Sequence, residues 1–248
     1  QGESTTLTAS GASTYSWSPA TGLSATTGTI VTANPSASTT YTVTGTDGNG
    51  CVGTATVSVT VNIPGTVSVS ASPASICNGQ SSTLTASGFT TYTWSPATGL
   101  SATTGSSVTA NPSATTTYTV NGVDGNGCTG TGTVVLTVNP NPTISVSSPD
   151  QTLCVGESTT ITANGANSFS WTPGTGLSAT TGTTVTANPS ASTTYTVTGT
   201  NGFGCTNTAT IAITVNPLPT VSASAADPVL CQGESTTLTA SGASTYSW

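Results

Sequence analysis

Six cysteines are the most reactive side chains in this sequence, and they form two series with one spacing. Cys77, Cys154 and Cys231 lie 77 residues apart, as do Cys51, Cys128 and Cys205. Thiols in such regular supply point to disulfides in an oxidising compartment. The only other ionisable groups of note are the carboxylates Glu3, Asp47, Asp124, Asp150, Glu157, Asp227 and Glu234, which are isolated from one another along the chain. Lys, Arg, His and Met are absent, and the formal charge is −7 over 248 residues. General base catalysis near neutral pH calls for His or a tuned carboxylate, and a Ser or Thr hydroxyl needs an adjacent base to become a nucleophile. The composition therefore argues against an enzyme, and no cofactor or metal is expected. Nucleic-acid binding rests on cations against phosphate, and attraction to anionic lipid on the same groups, so neither partner is expected. No apolar run approaches the roughly 20 residues of a membrane span, and no lipidation signal is visible.

The elements that must position these thiols repeat with them. Trp17, Trp94, Trp171 and Trp248 keep the 77-residue spacing, and residues 1–17 recur letter for letter at 232–248. Self-similarity of this kind marks a tandem array. The chain is expected to be a window on a longer one, with a partial repeat at 1–63, complete repeats at 64–140 and 141–217, and the start of another at 218–248. Within 64–140, alternation of apolar and polar residues predicts strands at 66–72, 81–87, 90–96, 106–112, 115–124 and 131–138. The segment Ser75–Cys77 leads into a turn at Asn78-Gly79-Gln80, and Gly125-Asn126-Gly127 reads as a tight hairpin. The third copy of that hairpin is Asn201-Gly202-Phe203-Gly204. A turn explains these sequences better than a calcium loop, which needs six to eight oxygens. Leu100, in the loop 97–105, is expected to plug the core.

About seven short strands with one Trp on the third long strand and no helical periodicity predict an all-β fold of antiparallel sandwiches. Trp17, Trp94 and Trp171 are assigned to the cores, with Tyr41, Tyr118 and Tyr195 beside them. The succession C-x-G-[EQ]-S-[ST]-T-[LI]-T-A, Y-[ST]-W-[ST]-P, V-T-A-N-P-S-A-[ST]-T-T-Y-T-V and G-C-x-[GN]-T resembles the immunoglobulin-like repeats of giant cell-surface proteins of the Bacteroidota. That family includes gliding adhesins and prey-catching filaments. The resemblance implies tandem immunoglobulin-like domains arranged as a rod, display outside the cell and, at N-P-S-A-[ST]-T-T-Y, a tyrosine corner built on Tyr41, Tyr118 and Tyr195.

Strand tracing places Cys77 and Cys128 at opposite poles of one repeat, which speaks against their pairing, and the first Cys of a repeat near the second Cys of the next. Cys77 with Cys205 is then an interdomain pair, and Cys51, Cys128, Cys154 and Cys231 look to partners outside the window. Pairing within a repeat and pairing between chains remain open alternatives. Phe89 and Phe203 fall in predicted loops without a core of their own and are candidates for contacts between chains. Only 3% of residues are charged, and sheet edges lack the Lys and charge that normally block lateral pairing. The expectation is therefore a structural shaft of a long extracellular filament or adhesin, self-associating into a homo-oligomer, with any cell-surface ligand bound elsewhere in the full protein. The alternatives are a glycan- or prey-binding module and an ice-adhesin-type extender, the latter suggested by Thr-x-Thr runs. The linkers at 62–64, 139–142 and 216–219 contain proline, which restricts itself and its predecessor and is expected to stiffen the junctions.

Overall fold

Alternation of small apolar and hydroxyl-bearing residues dominates the chain, and in the computed structural model, which describes residues 2–248, it produces strands throughout. The chain forms two compact units, Gln1–Val138 and Asn139–Trp248. The first unit opens with β1 (Thr5–Thr8), β2 (Thr14–Ser18), β3 (Ile30–Ala33), β4 (Thr39–Thr46) and β5 (Val52–Val59). Its complete sandwich follows as β6 (Ser68–Ser72), β7 (Ser75–Cys77), β8 (Ser82–Ser87), β9 (Thr91–Ser95), β10 (Ser107–Ala110), β11 (Thr116–Val123) and β12 (Thr129–Asn139). The second unit repeats that plan as β13 (Ser145–Ser147), β14 (Thr152–Cys154), β15 (Thr159–Asn164), β16 (Ser168–Thr172), β17 (Thr184–Ala187), β18 (Thr193–Thr200) and β19 (Thr206–Asn216). It closes with the pair β20 (Ser222–Ala225) and β21 (Leu238–Ser241).

Each complete sandwich stacks a three-stranded sheet, β10-β8-β6 or β13-β15-β17, on a four-stranded one, β7-β12-β11-β9 or β14-β19-β18-β16. The first long segment serves both sheets. In the second unit β13 pairs antiparallel with β15, and after a short break β14 lies parallel to β19, with Cys154 opposite Asn216. Period-two geometry then sorts the side chains. Along β8, Ser82, Leu84 and Ala86 point inward while Thr83, Thr85 and Ser87 face water. Along β9, Tyr92 and Trp94 are inward and Thr91, Thr93 and Ser95 outward.

The three interior tryptophans are 3–4% exposed. An indole N–H must keep a hydrogen bond when buried, and each donates to a glycine carbonyl, Trp17 to Gly28 at 3.0 Å, Trp94 to Gly105 at 2.9 Å and Trp171 to Gly182 at 2.9 Å. Tyr41, Tyr118 and Tyr195 are fully buried. Their hydroxyls differ from the corner arrangement that the family resemblance implies, in which the bond runs a few residues upstream. Tyr118 donates to the Thr98 carbonyl at 2.8 Å, 20 residues back, and Tyr41 and Tyr195 do the same at Thr21 and Thr175. The ring points from β11 into the core, and the backbone it meets there is the Ala-Thr-Gly-Leu loop. Burial raises the pKa of Tyr118 and Tyr195 above the ordinary phenol value.

Two expectations need correction. Phe89 does find a core: its ring packs against the cluster around Leu84, Trp94 and Tyr118, over two glycines that leave room for it. A Cβ on Gly122 would lie 2.7 Å from the Phe89 Cγ, and one on Gly130 would lie 2.5 Å from its Cζ. In the second unit Ala166 replaces Phe89, Ile144 covers Gly199, and Asn207 stands where Gly130 does, donating to the Pro142 carbonyl at 3.0 Å. Sheet edges are also less open than the lack of charge suggests. The loop 97–105 hydrogen-bonds both β9 and β10, through Trp94 N to Thr103 O, Ser101 N to Thr109 O and Thr109 N to Ser101 Oγ. The corresponding loops do so at β2 and β3 and at β16 and β17. Backbone covering does here what charge does in other sheets.

Replacing Trp94 by Ala removes the largest side chain of its core and should cost about 3–5 kcal/mol; Tyr118→Phe, which orphans the Thr98 carbonyl, should cost about 1 kcal/mol. Denaturant unfolding followed by far-UV circular dichroism measures both, and a Trp94→Ala loss below 1 kcal/mol would contradict this packing.

Candidate functional site at the cysteine-bearing poles

Each repeat carries one cysteine at either end, and a different local device holds each. At one pole the sequence C-x-G-[EQ] closes a turn. The carbonyls of Cys77, Cys154 and Cys231 accept from the backbone N–H of Gln80, Glu157 and Glu234 at 2.9–3.0 Å. In return the side chains of Gln80, Glu157 and Glu234 accept from the cysteine N–H at 3.2, 2.7 and 2.9 Å. The third residue of the turn has φ of 90–96° at Gly79, Gly156 and Gly233, a conformation that favours glycine. Asn111 and Asn188 anchor the turn to the body, donating from Nδ2 to the carbonyls of Gly79 and Gly156 at 3.2 and 3.1 Å. Asn34 makes the same bond to Gly2 at 3.3 Å. The strand reading overlooked this asparagine, although its recurrence in V-T-A-N-P at every period is a signal for it.

At the other pole the hairpin before β5, β12 or β19 presents the second cysteine. Asp124 Oδ1 accepts from the N–H of Asn126 and of Cys128, both at 2.8 Å. Asp47 Oδ1 does so from Asn49 and Cys51 at 2.8 and 2.9 Å. In the third copy the Asn201 amide oxygen accepts from Phe203 and Cys205, both at 3.0 Å, and its Nδ2 donates to the Pro140 carbonyl at 2.9 Å. The carboxylates are thus absorbed in turn formation. Among the described residues no group of three or more His, Cys, Asp or Glu could hold a metal ion. Phe203 sits at the hairpin tip, 67% exposed.

The distance between poles follows from one strand. Cys154 is opposite Asn216 at the end of β19, whereas Cys205 immediately precedes Thr206 at its start. An 11-residue strand spans about 33 Å between its first and last Cα, and a disulfide needs Cα atoms within about 7 Å. Pairing of Cys154 with Cys205 inside one sandwich is therefore excluded. The same plan holds in the first unit, where Ala74, just before β7, accepts from Thr137 near the end of β12 while Cys128 precedes its start. Cys77 and Cys205 are in the disulfide state, and Cys51, Cys128, Cys154 and Cys231 are thiols.

Inside the first unit two successive repeats meet, and their contact brings unlike poles together. A cleft is lined by Gly2, Glu3, Val61 and Asn62 of the first repeat and by Asn126 and Cys128 of the second. The Cys128 thiol donates to the Asn62 carbonyl at 3.8 Å. The turn at Gly2 and Glu3 matches Gly79 and Gln80, two and three residues after Cys77.

A family model described as an Ig-like domain, CHU_C associated, matches residues 64–142. A comparison with curated proteins finds no match. Among solved structures the chain is similar to the N-terminal eight Ig domains of Down Syndrome Cell Adhesion Molecule, at 16% identity and TM-score 0.39, covering 87% of this chain and 35% of that one. A C-terminal 282-residue fragment of intimin, in complex with the intimin-binding domain of its receptor, aligns at 15% identity and TM-score 0.42, covering 65% and 67%. A Ca2+-stabilized adhesin with which an Antarctic bacterium binds ice aligns at 17% and 0.38, covering 89% and 71%. The chain spans about a third of the eight-domain structure. The fold is a tandem immunoglobulin-like β-sandwich.

The backbone N–H of Cys51, then that of Asn49, hold the Asp47 carboxyl below its usual pKa. A depressed folded value gives stability that is present above about pH 4 and is lost as pH falls through that folded value. Hydrogen exchange at the Cys51 amide should accelerate relative to its intrinsic rate below that point. Asp47→Asn should remove the pH dependence while keeping the turn, because Asn201 already fills this role. An Asn variant with the unchanged acid profile would contradict the assignment.

Proposed function

We propose that this chain is a section of the shaft of a long extracellular filament or surface adhesin, a non-enzymatic element whose successive sandwiches are fastened by disulfides. The observation that carries this reading is the meeting of unlike poles in the first unit, where the turn at Gly2 and Glu3 shares a cleft with Asn126 and Cys128. One period later the equivalent residues are Gly79 and Gln80 on one side and Phe203 and Cys205 on the other. By the 77-residue period the proposed partner of Cys77 is Cys205, and these are the two cysteines in the disulfide state. Cys51, Cys128, Cys154 and Cys231 then serve junctions with further repeats. Disulfides persist in oxidising surroundings, which supports display outside the cell, and among the described residues no helix is long and apolar enough to cross a membrane.

The shaft is also proposed to assemble laterally from identical chains. Its outward positions are mainly Ser and Thr, as in Thr83, Thr85 and Ser87 or Thr194, Thr196 and Thr198, and no cation is present to set up repulsion or attraction. With the edges of β9, β10 and their counterparts covered, contacts between chains run through these hydroxyl faces and through exposed groups such as Phe203.

Peptide mapping with a protease that does not require Lys or Arg should recover Cys77 joined to Cys205; recovery of Cys77 with any other cysteine would overturn the staple. Light scattering should give a mass above that of one 24.0 kDa chain at both low and high salt, because uncharged contacts are little screened. A monomer under both conditions would exclude lateral assembly.

A further inference from the structure

We propose that the staple turns the shaft into an inextensible strap: tension bypasses most of each sandwich and runs only through segments that are already extended. The inference rests on the Cys77–Cys205 pairing and goes beyond it to the path of load. Consider a pull along the chain. Force entering the complete sandwich of the first unit at residue 64 follows β6 and β7 to Cys77. With the staple in place it crosses to Cys205 and continues along β19 to residue 217. Residues 78–204 hang outside this path as a closed loop, although they contain nearly all of both cores.

The two strand segments that remain in the path are those the fold has stretched from pole to pole. In the second unit the first segment is tied to β19 and its hairpin near both ends. The carbonyls of Pro140 and Pro142 meet Asn201 and Asn207 at one end, and Thr214 N donates to Gln151 O at 2.8 Å near the other, beside the parallel pairing of β14. In the first unit a Cβ on Gly132 would lie 3.0 Å from the Val67 carbonyl, and Thr137 donates to Ala74 at 3.1 Å. Strand rises about 3.3 Å per residue against a limit of about 3.3–3.6 Å for a fully drawn chain, so neither segment has much length to yield.

In a chain that continues the 77-residue period, the same rule links Cys128 and Cys154 to their neighbours and produces two interleaved straps. At each junction one strap crosses by main chain and the other by disulfide. Each strap uses only the last strand of one repeat, the linker and the first strands of the next. Unfolding a sandwich then releases almost no length, whereas an unstapled repeat of 77 residues would draw out to about 270 Å. This gives both cysteine series, and their placement at opposite poles, one mechanical purpose.

Force spectroscopy on the full chain tests this, with handles coupled through azide-bearing residues at Ile63 and Leu218, both exposed, and with free thiols alkylated. The stapled path holds 14 residue steps from Ile63 to Cys77 and 13 from Cys205 to Leu218, a drawn length of about 100 Å including the bridge. The Cys77→Ser variant must draw out through 155 steps, about 540 Å. The oxidised chain should therefore lengthen less than twofold from its folded span, and the variant about fivefold further. If peptide mapping of the same sample shows Cys77 linked to Cys205 yet the oxidised chain more than doubles its folded span, the strap is wrong and the staple stands. If the oxidised chain lengthens like the variant and maps to a different pairing, both fall. Chemical reduction of the unmodified chain should reproduce the variant; a reduced chain that stays short would likewise overturn the proposal.

Discussion

The length of the last strand of each sandwich is the constraint on which the other assignments depend. At 11 residues β12 and β19 run from one pole to the other, and each carries a cysteine just before its start. β7 lies beside β12 and β14 lies parallel to β19, each ending in the other cysteine. Shorter strands would allow the two thiols of a repeat to meet and close a private loop. At about 33 Å they cannot, which leaves each thiol to react only outside its own sandwich.

Stability in this chain has to come from sources other than charge. Burial of Trp, Tyr, Leu and Ile supplies the core, and the polar groups that go inside are satisfied mainly by backbone, with Thr159 bonded instead to the Ser148 hydroxyl at 2.7 Å. The indoles meet glycine carbonyls, the tyrosines meet the Ala-Thr-Gly-Leu loops or, for Tyr195, Gly-Thr-Gly-Leu, and Ser82 donates to the Pro73 carbonyl at 2.6 Å. Among the described residues no buried side-chain nitrogen or oxygen lacks a partner. Four of the seven carboxylates, Asp47, Asp124, Glu157 and Glu234, act locally too, accepting backbone N–H groups in the hairpins and turns that hold the cysteines. A surface of hydroxyls over such a core is insensitive to ionic strength, since there are almost no ion pairs to screen.

The repeats show how one position can be solved twice. Phe89 occupies the corner above Gly122 and Gly130, whereas Ala166 leaves that corner to Ile144 and to the Asn207 amide. The space over the glycines is filled in both units while the chemistry changes from an aromatic ring to an aliphatic chain with a hydrogen bond. Close packing tolerates such exchanges when neighbours vary together, which accounts for slight differences within an otherwise strict period.

Much of this was legible before any coordinates. The period of 77, the strand boundaries, the inward side of Trp94 and Tyr118 and the opposite placement of the two cysteine series follow from periodicity, because alternation along a strand decides only two things, in or out, and both can be read locally. The partners of the inward groups could not be read that way. That Tyr118 reaches Thr98, that Asn111 holds the Gly79 turn, that the loop 97–105 seals two edges and that Phe89 lies over Gly122 and Gly130 are contacts between segments distant in sequence. Their geometry depends on how two sheets stack and where a loop passes between them, and that is settled only when the whole sandwich closes.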